Sequence, residues 1–150
     1  MPLWMAGIVW LICACGNNNV DPRDAYVGAY EFEAKGQVDF YYFGTPVMNV
    51  PLDEKGTFTI SKIGDKNKIA IVGYNDTIYA TVSGDQLTLE STTYSFRDSG
   101  VDLELTFTYD KAHRNKNHLS WHTDVYAEAR YNGINAKGEG NVEMEAERKE

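Results

Sequence analysis

Beyond residue 24, apolar and polar side chains alternate with a period of two almost everywhere. In a strand, successive side chains point to opposite faces, so this alternation marks half-buried β-strands. Tyr26, Gly28, Tyr30, Phe32 and Ala34 share one face, with Glu31 and Glu33 on the other. Val38, Phe40 and Tyr42 continue the pattern. The cleanest segment follows Asp98-Ser99-Gly100, where Val101, Leu103, Leu105, Phe107 and Tyr109 oppose Asp102, Glu104, Thr106 and Thr108. Leu119, Trp121, Thr123 and Val125 form another segment. The last sets Val142, Met144 and Ala146 against Glu143, Glu145 and Glu147.

Turn signals separate these runs. They include Asp53-Glu54-Lys55-Gly56, Gly64-Asp65-Lys66-Asn67, Asn75-Asp76 and Gly84-Asp85. Residues 47–52, between Pro46 and Pro51, read as a loop or short edge strand, because proline cannot donate to a ladder. Residues 111–117 read as a polar loop. No segment carries a 3.6-residue period. About eight to ten short strands joined by tight turns predict an all-β, antiparallel up-and-down meander. Closure into a β-barrel protects its edges best, with a two-sheet β-sandwich as the alternative.

Composition changes this picture in two places. All charged residues follow residue 14, so the net charge of −8 belongs to the β domain. An acidic surface disfavours nucleic acid and offers no basic patch to anionic lipid. The first fourteen residues are uncharged and dominated by Leu3, Trp4, Met5, Ile8, Val9, Trp10, Leu11 and Ile12. That run is shorter than the roughly 20 residues of a spanning helix and suits a signal-peptide core.

The run ends Leu11-Ile12-Cys13-Ala14-Cys15 and leads into Gly16-Asn17-Asn18-Asn19. It resembles the signal peptide and lipobox of bacterial lipoproteins, without the basic residues that usually open a signal. The resemblance implies a signal over 1–14, a lipid on Cys15 with a tether over 15–24, and a folded domain over 25–150. It removes both cysteines from disulfide and thiol chemistry. Gly16 after Cys15 points to the outer membrane, with the periplasmic face favoured over the cell surface.

A second resemblance rests on Val27-Gly28-Ala29-Tyr30-Glu31-Phe32 after Asp21-Pro22-Arg23-Asp24. It rests also on the hairpins around Gly64-Asp65-Lys66-Asn67 and Gly84-Asp85. These are similar to the lipocalin-like (calycin-like) small lipoproteins of Bacteroidetes, whose function is mostly unknown. Lipocalins proper carry Gly-x-Trp in the first strand, where this chain has Gly28-Ala29-Tyr30. The fold implied is a lipocalin-like barrel.

Candidate chemistry is sparse. Tyr30, Phe32, Phe58, Phe107 and Trp121 are expected to line the barrel interior, which side chains fill or a small apolar or amphipathic ligand occupies. Two rings of Phe40-Tyr41-Tyr42-Phe43 point outward, so Tyr41 and Phe43 are candidates to stack on a glycan or dock a protein. Asp76-Thr77-Ile78 resembles the O-glycosylation motif of Bacteroidetes envelope proteins, with Thr77 as acceptor.

His118 and His122 fall on one strand face roughly 13 Å apart, too far to share a metal ion. His113 lies in the polar loop. Glu143, Glu145, Glu147 and Glu150 read as a solvated face, with same-face neighbours about 6.6 Å apart. No metal or cofactor is expected. The chain lacks Gly-x-Ser-x-Gly, His-Glu-x-x-His and a phosphate-binding glycine loop. The expectation is a non-enzymatic envelope binding module, with a small-ligand carrier as alternative and an envelope hydrolase a distant third.

Overall fold

The computed structural model describes residues 20–150 except Asp65. The lipidation assigned to Cys15 lies outside the described residues. Among the latter, no helix is long and apolar enough to cross a membrane.

Among the described residues, ten antiparallel strands form one sheet. They are β1 (Gly28–Tyr42), β2 (Thr45–Lys62), β3 (Lys68–Val72), β4 (Thr77–Ser83), β5 (Gln86–Leu89), β6 (Thr92–Asp98), β7 (Val101–Tyr109), β8 (Ala112–Asn115), β9 (His118–Tyr131) and β10 (Ile134–Arg148). The order β10-β1-β2-β3-β4-β5-β8-β9 closes on itself, because β10 also pairs with β9. The molecule is therefore a barrel, as the alternation predicts, and not a sandwich.

The barrel is uneven. The strands β1, β2, β9 and β10 run 15, 18, 14 and 15 residues, while β3, β5 and β8 run only 5, 4 and 4. The expectation of short strands is corrected for β1, β2, β9 and β10. The long strands outlast the short wall, so one end is closed and the other flares. At the closed end β8 pairs with the start of β9. Further along the same edge of β9, β7 takes over and carries β6 with it.

The prolines did not break their segment. Residues 47–52 belong to β2, on a stretch that pairs with β1 alone, where a missing N–H costs no ladder bond on the open side. The polar loop also contains a strand, β8, whose Ala112 is fully buried and registers with Leu87.

Two apolar clusters follow from the unevenness. The closed end holds Tyr26, Tyr30, Phe58, Ile60, Ile69, Leu87, Leu119 and Trp121. The flared end holds Ala34, Val38, Phe40, Val125, Ala127 and Val142. Phe32 and Met144 pack against both.

The end of the expected tether is folded. A 3-10 helix, Pro22–Ala25, starts at Asp21, whose carboxylate accepts from the Arg23 backbone N–H. The Arg23 guanidinium bonds Asp21 at 2.7 and 2.9 Å and reaches the Ile63 carbonyl at 3.0 Å. Those hydrogen bonds hold the Asp21 carboxyl well below the usual carboxylate range. This turn caps the closed end.

Candidate functional site

Three of the five expected interior rings meet at the closed end. Tyr30 stacks on Phe58 at 5.2 Å between centroids, and Phe58 lies 6.3 Å from Trp121. Phe32 stacks on Phe58 from the flared side at 5.9 Å. Phe107 belongs to the other cluster, because β7 pairs with the outer half of β9, and its edge meets Tyr94 instead.

The polar ends of these rings are mostly tied. The Tyr30 hydroxyl donates to the Tyr26 carbonyl at 2.8 Å, and the Tyr26 hydroxyl to the Gly84 carbonyl at 2.7 Å. Burial lifts both tyrosines above their ordinary range. Arg148 registers with Tyr30 and donates to the Ala25 carbonyl and to Asn117 Oδ1. Two buried donors, Trp121 Nε1 and Arg114 Nε, have no hydrogen-bond partner among the described residues.

The flared end is different. Three two-residue hairpin tips, Phe43-Gly44, Ser99-Gly100 and Asn132-Gly133, each place both residues at positive φ. That is the backbone of a type I′ turn, whose twist matches the strands it joins and which favours Asn, Asp or Gly. Asn132-Gly133 follows this preference. Phe43 does not: its φ is 48° and its side chain is 91% exposed. Its ring meets only Tyr42 among the described aromatics, edge-on at 4.6 Å.

As expected, Phe40 points in and is buried, whereas Tyr41 is exposed. Tyr42 sits on the inward side yet is also exposed, because the wall opposite it has ended. Around the same rim Met48, Phe96, Val101, Tyr131 and Ile134 are exposed. An open depression of about 540 Å³ runs beside Tyr41 and Phe43, between them and Lys137 and Glu139.

The remaining candidates scatter. His118 and His122 lie along β9, each held by its own β10 carboxylate. His118 Nδ1 is 3.2 Å from Glu147 and His122 Nδ1 is 2.6 Å from Glu143. Asp124 faces the other ring nitrogen of His122 at 3.3 Å. The Glu143 hydrogen bond raises the His122 pKa above its ordinary value. Among the described residues no group of three or more such side chains could hold a metal ion.

Thr77 opens β4, half-buried, with its backbone N–H donating to the Asp76 carboxylate. Tyr94 donates to the same carboxylate. Sequence reading passed over Asp39, Tyr126 and Glu139, which the register aligns in one row across β1, β10 and β9. Alternation already placed Tyr126 outward, but neighbouring strands are invisible without register.

No family model matches the chain, and no curated protein does. One solved structure, described as the crystal structure of the ywiB protein from Bacillus subtilis, is similar over 85% of this chain and 97% of that one. The identity is 11% and the TM-score 0.37, a likeness too loose to carry an argument.

Proposed function

We propose that this chain is a non-enzymatic, lipocalin-like envelope lipoprotein that binds a partner through the exposed aromatic end of its barrel. A lipid on Cys15 would hold it at the outer membrane, facing the periplasm. The closed end, where residue 20 emerges, then faces the anchor, and the flared end faces away from it.

Phe43 carries this reading. A bulky residue in the left-handed region costs about 1–2 kcal/mol, and asparagine or glycine would relieve it. Exposing the ring also forgoes its burial. Beyond its edge contact with Tyr42, Phe43 gives folding little, and a strained, exposed aromatic is what a contact surface supplies. Crosslinking in cells tests the reading. Tyr41→Ala and Phe43→Asn should each remove crosslinked species that the native protein forms, and unchanged profiles would refute it.

A carrier role for the interior rests on Trp121. Its N–H, buried without an acceptor, is unfavourable unless a water or ligand oxygen completes it. Native mass spectrometry of the chain purified from its membrane would show a retained small molecule. A bare protein mass alone would remove the carrier reading.

A further inference from the structure

We infer that the outer face of β1, β10 and β9 at the flared end, around Tyr41, Asp39, Glu139 and Tyr126, binds a neutral oligosaccharide. The inference rests on the reading of Tyr41 as a binding residue and names the ligand class.

The register builds the surface. Asp39 lies opposite Glu139, and Glu139 opposite Tyr126. One step towards the tip, Tyr41 lies opposite Lys137. One step the other way, Gln37, Asn141 and Asp124 form the next row. By strand spacing the two tyrosines stand roughly 12 Å apart, the span of a short oligosaccharide. Between them is open space. A depression of about 370 Å³ beside Asp39, Asp124 and Tyr126 adjoins the one beside Tyr41, and Glu139 lines both.

The two strands beneath this surface approach each other closely. A Cβ on Gly36 would lie 2.0 Å from the Asn141 carbonyl oxygen, and one on Gly140 the same distance from that of Gln37. Only glycine fits at these two positions, so the backbones of β1 and β10 pack closely there.

The chemistry then selects the ligand. Tyrosine rings offer flat apolar faces for the C–H face of a sugar. Carboxylates and amides supply paired acceptors and donors for adjacent hydroxyls. Asp39 is already oriented, because Asn49 and Gln37 both donate to it. Glu139 makes no hydrogen bond or ion pair among the described residues, unlike several carboxylates nearer the closed end. There Glu31 meets Lys149, Glu33 meets Lys35 and Lys55, and Glu147 meets His118. Asp39, Asp124 and Glu139 outnumber Lys137, so the surface repels uronates, phosphates and sulfates.

Calorimetric titration of the full chain in detergent, with cellohexaose, chitohexaose, mannohexaose and hexagalacturonate, tests this. At least one neutral hexasaccharide should bind, and hexagalacturonate should not. Tyr126→Ala and Glu139→Gln should each weaken binding by about tenfold. Tyr79→Ala, an exposed tyrosine elsewhere, should leave it unchanged. Failure of every neutral sugar to bind, equal binding of the uronate, or indifference to both groove variants would overturn the inference. If crosslinks still depend on Tyr41 and Phe43, the partner is a protein and the binding reading stands. If they do not, both fall.

Discussion

The closed and flared ends are built from the same four long strands, yet they use their aromatic residues in opposite ways. At the closed end, Tyr30, Phe58 and Trp121 pack on one another, and the hydroxyls of Tyr26 and Tyr30 reach carbonyls. At the flared end, Tyr41, Tyr42 and Phe43 meet solvent. The difference comes from strand length. Where β3, β4, β5 and β8 complete the ring, apolar faces are covered. Where they stop, the same alternation leaves a rim. One end buries its aromatics, and the other, on the proposed reading, leaves them for contact.

Variants can break this comparison, beginning with the largest effect. Phe58→Ala removes the ring that joins Tyr30, Phe32 and Trp121, and should cost about 3–5 kcal/mol in urea unfolding. That is a large share of the stability of a typical domain. Tyr30→Phe keeps the stack but leaves the Tyr26 carbonyl without its donor, and should cost about 1–2 kcal/mol. Tyr41→Ala, an aromatic truncation at the other end, should stay within about 0.5 kcal/mol on the same urea axis. A loss at Tyr41 comparable to that at Phe58 would erase the distinction.

The smallest effect concerns pH. The folded pKa of His122 is raised by Glu143, so its contribution is fully present below the ordinary 6.5 and is lost as pH rises through the folded value. The pair is partly exposed, which limits the contribution to about 0.5 kcal/mol. Urea midpoints of the native chain and His122→Gln should therefore differ most below pH 6.5 and converge as pH rises beyond the raised folded value. A gap that widens with pH would contradict this assignment.

The fold was largely legible in the alternation, because period two is a local signal and each strand presents one apolar face. Unevenness was not. Whether residues 47–52 continue a strand depends on β1 lying beside them, and two prolines made that segment look broken. The four-residue β8 is too short and polar to announce itself, and only the burial of Ala112 against β5 and β9 defines it. Asp21 and Arg23 looked like tether because Arg23 finds its carbonyls forty residues away. At the candidate site, Tyr41 and Phe43 could be read from alternation within one strand. The row Asp39, Glu139 and Tyr126 spans three strands, so it exists only once register is known.

The central claim is that the flared end keeps its aromatics for contact at the expense of stability. The urea midpoint of Phe43→Asn tests it most directly. Asparagine suits the left-handed position of the turn, and a ring that is 91% exposed gives little packing to lose. The expected result is a stabilisation of about 1 kcal/mol with an unchanged slope. A lower midpoint would mean that Phe43 serves the fold, and would contradict the account.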